Sequence, residues 1–249
     1  MMLDRRALLL GLLSCPICAS LARAAEGPHW SFEGADGPAH WGDLDPGFKA
    51  CAVGSEQSPI DLKGAIKADF GRAALDWKPQ AYAVVNNGHT IQANAKPGSF
   101  ARVGGETYAL QQFHFHAPSE HAIDGVRTAM EVHFVHSRAG GQLAVIGAFM
   151  KAGAANAAFA TVMKAAPRHV GEQTLERPID PHQLIPAKSA IYRYEGSLTT
   201  PPCAEVVDWN VFERPVEVAA SAITAFRAIY PMNARPLQPL NRRFVLIGR

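Results

Sequence analysis

Cysteine is scarce in this chain: four in 249 residues, two of them, Cys15 and Cys18, within the first two dozen positions. A small scaffold stapled by many disulfides is excluded. An excess of one charge is also missing. Twenty-four Lys and Arg against 22 Asp and Glu leave a net charge of +2, with the basic residues scattered, so nothing marks a nucleic-acid surface. The protease signature His-Glu-x-x-His is absent. No internal repeat, low-complexity tract or Pro/Gly/Ser-rich linker divides the chain, and one domain is the simpler partition. What is present is ordinary, 48% hydrophobic and 18% charged. A chain of this length buries a core that needs few staples.

Long apolar runs are missing too. The stretch from Ala7 to Leu21 is broken by Ser14, Pro16 and Ser20 and is short for a bilayer span. Arg5 and Arg6 precede it, and Ala22-Arg23-Ala24 follows as a small-x-small cleavage site. This layout predicts a secretory signal peptide over 1–24, a mature domain over 25–249, and a periplasmic or secreted protein. An N-terminal membrane anchor is the alternative. The arginine pair also fits a twin-arginine route, although Asp4 stands before it, and Cys15 after Leu12-Leu13-Ser14 fits lipid attachment. Cleavage leaves Cys51 and Cys203. An even count in an oxidising compartment suggests a bridge, two unrelated buried thiols being the alternative.

Short alternating or apolar runs predict strands at 81–86, 90–95, 108–116, 129–136, 142–150, 190–195 and 205–212. Turn pairs such as Asn87-Gly88, Gly104-Gly105 and Gly140-Gly141 separate them. Two helices are expected, an alanine-rich one over 154–166 ending at Pro167, and one over 219–229 ending before Pro231. The pattern predicts a mainly β (α+β) fold built on a mostly antiparallel sheet.

The chemistry concentrates in Gln112-Phe113-His114-Phe115-His116 and Glu131-Val132-His133-Phe134-Val135. Strand side chains alternate faces. Gln112, His114 and His116 therefore share one face, and Phe113 and Phe115 point to the other. Glu131, His133 and Val135 likewise share a face. If the two strands pair, three imidazoles meet and leave a fourth tetrahedral position open, the layout of a catalytic zinc site. Gln112 and Glu131 stand where they can fix the far ring nitrogens of His114 and His133. A lone His-x-His is also compatible with plain polar surface. His114-x-His116-x-x-x-Glu120 further fits the first metal motif of the cupins, with Glu120 as a ligand to iron or manganese. That alternative calls for a later Gly-rich motif with a fourth ligand histidine, a setting that His133 and His136 lack.

With these residues in view, the chain resembles the α-class carbonic anhydrases. Further pieces of the resemblance are His40-Trp41-Gly42, Gln57-Ser58-Pro59-Ile60-Asp61, Asn86-Asn87-Gly88-His89, Ser119-Glu120-His121, Gly196-Ser197-Leu198-Thr199-Thr200-Pro201-Pro202 and Val207-Asp208-Trp209. They run in the family's order across nearly the whole mature chain. The resemblance implies one domain around a large twisted, mostly antiparallel sheet with a few peripheral helices. It implies a Cys51–Cys203 disulfide, Zn2+ on His114, His116 and His133, and cis bonds at Ser58-Pro59 and Pro201-Pro202. The implied reaction is reversible hydration of CO2 to bicarbonate and a proton by metal-bound hydroxide. Sulfonamides and anions are the implied inhibitors.

Residue roles follow by the same resemblance. Glu120 accepts the Thr199 hydroxyl proton, so Thr199 orients the attacking oxygen, and Thr200 helps hold bicarbonate. Val135, Val145, Leu198, Val207 and Trp209 form the apolar patch for CO2; ordinary core packing is the bland alternative for the valines. His89 is the proton shuttle, expected as an exposed, mobile ring just after a tight turn. Without such a group, proton return at about 10¹⁰ M⁻¹s⁻¹ limits turnover to roughly 10³ per second at neutral pH, and histidine is the side chain that titrates there. The chain departs from relatives at Asp43, where many carry a cavity tyrosine, at Gln92, another cavity position, and at Ala117, where vertebrate members carry tryptophan. A non-catalytic, carbonic-anhydrase-like binding module is the remaining alternative, against which all three histidines, Glu120 and Thr199 are present.

Overall fold

The computed structural model describes residues 28–71 and 73–248. The signal-peptide, twin-arginine and lipidation readings fall on residues outside this range. The strands are β1 (Ile66–Lys67), β2 (Ala74–Asp76), β3 (Ala83–Asn86), β4 (Ile91–Asn94), β5 (Phe100–Val103), β6 (Glu106–His116), β7 (Met130–Ser137), β8 (Leu143–Ala152), β9 (Gly171–Thr174), β10 (Ile191–Gly196), β11 (Val207–Val218) and β12 (Leu246–Gly248), with burial alternating every second residue in β3, β4 and β5. They join in one sheet in the order β1-β12-β10-β11-β8-β7-β6-β4-β3-β9, with β5 pairing β6 and β2 pairing β5. Pairing is antiparallel except between β8 and β11 and between β1 and β12. The sheet is mostly antiparallel, as expected from sequence, and mixed in that its centre holds a parallel pair.

The seven expected strands all form, with ends displaced by a few residues. The largest displacement is in β11, which runs on to Val218 through a register shift between Phe212 and Val216. Glu213-Arg214-Pro215 breaks the alternation there, and a strand carries Pro most readily at such an irregularity. β1, β2 and β9 have little or no buried surface, so no hydrophobic pattern announces them.

Alternation sorts side chains onto two faces. Phe113, Phe115, Val132, Phe134, Ile146 and Ala148 pack the larger core. The helices α3 (Ala157–Ala165) and α4 (Ala220–Arg227) add Phe159 and Phe226 to it. Asn156 caps α3 by accepting the Phe159 N–H at 3.0 Å, and the buried Ala158, Phe159, Val162 and Ala165 fall on one helical stripe. The opposite face carries a smaller core of Val145, Tyr194, Val207, Trp209 and Val211, next to the histidines. Near the N-terminus two short helices, α1 (Trp41–Leu44) and α2 (Ala50–Val53), bring Cys51 to Cys203, and the two are disulfide-bonded. Ser58-Pro59 and Pro201-Pro202 are cis, as is Ala117-Pro118, which the sequence reading did not single out.

His136 belongs to the larger core. Its Nε2 accepts the Trp77 indole N–H at 2.9 Å, and its Nδ1 lies 3.0 Å from Phe134 O and 3.2 Å from Ala144 O. Carbonyls only accept, so the ring is neutral with its proton on Nδ1. Burial pushes its pKa down to about 4. A depressed histidine stabilises the fold above its unfolded pKa near 6.5 and loses that contribution as pH falls towards 4. The span corresponds to about 3 kcal/mol. Chemical unfolding between pH 7 and 4 should therefore show a steeper stability loss in the wild-type chain than in His136→Gln; parallel curves would refute this.

Candidate metal centre

The β6–β7 register sets His114 opposite His133, Gln112 opposite Val135 and His116 opposite Glu131. One nitrogen from each of His114, His116 and His133 can be chosen so that all three lie within 4.8 Å of one another. The ring centroids stand 4.9 Å (His114–His116), 4.6 Å (His116–His133) and 5.4 Å (His114–His133) apart. Each ring is held from behind. His114 Nδ1 lies 2.8 Å from Gln112 Oε1, His116 Nδ1 2.7 Å from Asn233 O, and His133 Nε2 2.9 Å from Glu131 Oε1. Acceptors on those sides leave His114 Nε2, His116 Nε2 and His133 Nδ1 as the lone pairs facing inward. His116 Nε2 is buried and has no hydrogen-bond partner. Burial and the neighbouring imidazoles His116 and His133 hold His114 well below its ordinary pKa, and burial foremost lowers His116. Three imidazoles converging on a rigid sheet, with an orphaned buried nitrogen among them, fit a zinc ion.

Glu131 is the most heavily used acceptor. Its Oε1 also takes His121 Nδ1 at 2.8 Å, and its Oε2 accepts the N–H groups of Glu120 and His121, both at 2.9 Å. Burial alone would raise its pKa, but His121 and His133 hold the carboxyl well below the usual range. Gly147 sits opposite His133 on β8. A Cβ there would stand 3.2 Å from Glu131 Oε1 and from Val211, so the bare backbone makes room for this carboxylate. Glu120 is fully buried. Its Oε1 accepts the Arg235 N–H at 2.9 Å. Its Oε2 has no hydrogen-bond partner and lies 3.5 Å from His116 Nε2 and 3.8 Å from His133 Nδ1. No hydrogen bond joins it to Thr199 in this structure, in contrast to the expected pairing, because one oxygen is engaged by backbone and the other is turned to the imidazoles.

Above the histidines lies a cavity of about 170 Å³. Its two sides follow from strand order. Val135, Val145 and Trp209 come from β7, β8 and β11, where Val135 pairs Val145 and Val145 pairs Trp209, and Leu198 joins them. Gln92 and Gln112 come from β4 and β6, beside Asn87, His89 and Thr90. Thr199 and Thr200 enter from a loop closed by Leu198 N–H on Ala204 O at 3.0 Å and Cys203 N–H on Thr200 O at 2.9 Å. Val207 is buried beside Val145 and Trp209 in the core and stands outside the cavity lining; of the five apolar residues expected to face CO2, it is the one displaced. A larger groove of about 1030 Å³ runs past Glu56, Arg193 and Phe244 and touches none of these side chains.

Two expectations need correction. His89 is half-buried, its ring stacked on Trp30 at 3.7 Å between centroids and 6° between planes. It does follow a tight turn, with Gly88 at φ 90° and the His89 N–H on Asn87 Oδ1 at 2.9 Å. The ring is packed by an aromatic neighbour that lies far away in sequence. Burial, with His29 nearby, lowers its pKa. Asp43 is exposed on α1 and does not reach the cavity; the aromatic rim there is Trp30 and Phe32. The only sequence signal for that rim is the pair of aromatics at a spacing of two. Asn233 was also missed, and no signal could have marked it, since a backbone carbonyl does the holding.

A family model described as eukaryotic-type carbonic anhydrase matches residues 36–248. Carbonic anhydrase of Pectobacterium atrosepticum is 42% identical over 227 residues, covering 90% of this chain and 93% of the relative. The α-carbonic anhydrase of Thermovibrio ammonificans, solved with sulfanilamide, superposes with a TM-score of 0.86 at 43% identity, covering 88% of this chain and 99% of that one. A carbonic anhydrase from Chlamydomonas reinhardtii, solved with acetazolamide, gives a TM-score of 0.78 at 38% identity, covering 88% of this chain and 99% of that one. These matches do not favour the cupin alternative, and they leave one assignment: the chain belongs to the α-class, or eukaryotic-type, carbonic anhydrase family.

Proposed function

We propose that this enzyme hydrates CO2 reversibly with Zn2+ held by His114 Nε2, His116 Nε2 and His133 Nδ1, within a catalytic domain spanning 25–249. The observation that carries the proposal is the set of three imidazoles whose far nitrogens are engaged by Gln112, Asn233 and Glu131, leaving inward lone pairs and an unpartnered His116 Nε2. Bound there, zinc supplies Lewis acidity that makes water a nucleophile near neutral pH.

The remaining steps belong to the chain. Val135, Val145, Leu198 and Trp209 offer CO2 a dry wall, and Val207 backs that wall from the core. The Thr199 hydroxyl orients the attacking water, and the free Oε2 of Glu120 is the acceptor available for the Thr199 proton. Thr200 hydrogen-bonds bicarbonate. His89 takes the released proton from the polar side past Gln92 and hands it to buffer. The disulfide suits an oxidising compartment, and with the signal peptide over 1–24 it supports a periplasmic or secreted enzyme. No described helix is long and apolar enough to cross a membrane.

Stopped-flow CO2 hydration on the purified chain, with zinc analysis and a sulfonamide titration, tests the proposal. One zinc per chain and sulfonamide-sensitive hydration are expected; a zinc-loaded chain without hydration overturns it. His89→Ala should slow turnover roughly tenfold or more in weak buffer, with recovery on adding imidazole. An unchanged rate would remove His89 from the proton path.

A further inference from the structure

Arg235 is a buried charge that none of these steps uses. It is 1% exposed and forms no ion pair with a carboxylate among the described residues. Its Nη1 donates to Gln57 Oε1 and to Ser58 O, both at 2.8 Å, and its Nη2 donates to Cys51 O at 3.0 Å. The guanidinium lies 5.5 Å from the Trp41 ring centroid, and Nε has no partner. Burial brings its pKa down to about 10, so it is still cationic at neutral pH. Burying a cation is unfavourable, and an apolar side chain of similar volume fills the space at less cost. The position therefore needs a reason beyond packing.

Its partners supply one. The Arg235 backbone N–H holds Glu120 Oε1 at 2.9 Å. Gln57, gripped by the guanidinium through Oε1, donates from Nε2 to Cys203 O at 3.0 Å. The Cys203 N–H in turn holds Thr200 O at 2.9 Å. One side chain thus joins the backbone that anchors Glu120 to the loop that carries Thr199 and Thr200. We propose that Arg235 is a positioning residue that sets the separation between the Glu120 carboxylate and the Thr199 hydroxyl, acting through Gln57 and Cys203. This inference rests on the hydration chemistry proposed above.

The planar fork is what the arrangement requires, because it reaches three acceptors at once, Cys51 O on α2 and Gln57 Oε1 and Ser58 O beyond it; a lysine ammonium keeps the charge and loses the fork. A displacement of about 1 Å at reacting groups can cost about 100-fold, and Arg235→Lys is expected to lose roughly 10- to 100-fold in kcat. KM should stay nearly constant, with one zinc per chain retained. Gln57→Ala should do the same with the charge untouched. The double variant should be no slower than the slower single one, since both act through one connection. Thermal unfolding of each variant shows whether it is folded at the assay temperature. Folded variants with lower melting points and full kcat overturn the inference, because that is what a purely structural arginine gives. If Arg235→Lys does not fold, Gln57→Ala alone decides. An inactive wild-type chain sinks the hydration proposal and this inference with it. An active wild type beside unchanged variants sinks this inference alone.

Discussion

His133→Ala is expected to yield a chain that has lost its zinc and at least about a thousandfold in kcat/KM, or about 4 kcal/mol of transition-state stabilisation. The size follows from where His133 stands. His114 and His116 share β6, so His133 is the one ring supplied by β7, and without it two donors remain. Losing an outer partner of a metal ligand typically weakens metal binding by roughly 10- to 100-fold, and Gln112→Ala should fall in that range. Removing the ligand itself should exceed it. The Glu131 carboxylate provides a second reason. It loses the His133 N–H yet keeps His121 and the two backbone donors, so the fold should survive and the loss should be one of metal. Zinc analysis after dialysis, read beside the CO2-hydration rate, checks this. Full zinc and activity in His133→Ala would end the metal-centre proposal.

The second large effect is expected from Cys51→Ser with Cys203→Ser. The bridge joins residues 152 apart, and closing a loop of that length stabilises the fold by about 5 kcal/mol in the chain-entropy model. For a domain of this size, that loss should lower the melting temperature by roughly 10 to 20 °C. Activity below the new transition is the more informative reading. Cys203 N–H still holds Thr200 O, and Gln57 still holds Cys203 O, so the Thr199 loop keeps two of its tethers. We expect a marginally stable enzyme with a modest decrease in kcat. A double variant as heat-resistant as the wild type would show that the bridge adds nothing to the fold.

How much of this was legible in the sequence depended on the range over which the signal acts. The strict alternation of Gln112 to His116 and of Glu131 to Val135 fixes which side chains share a face, and that parity is local. β6, β7 and β8 carry buried cores and announced themselves. β1, β2 and β9 carry little or none, and partner strands alone hold them. The disulfide was suggested by the even count of mature cysteines, which left two separate thiols open, and implied by the family resemblance. Trp30 stacked on His89 was not, since it joins segments about sixty residues apart by packing. Asn233 was invisible because its carbonyl has no side-chain identity, and Arg235 because a buried arginine reads like any surface one. The Asp43 assignment failed because it relied on a neighbouring motif to locate a cavity residue, and the chain reaches the cavity with Trp30 and Phe32.

The acceptor for His116 lies at residue 233, and the N–H that anchors Glu120 lies at residue 235, although the three histidines have all been passed by residue 133. A growing polypeptide therefore carries every candidate ligand long before it can hold them in place. Catalytic competence is deferred until the far end of the chain has folded back onto β6, so a translation product cut short before that point would be inert however well its earlier strands had formed.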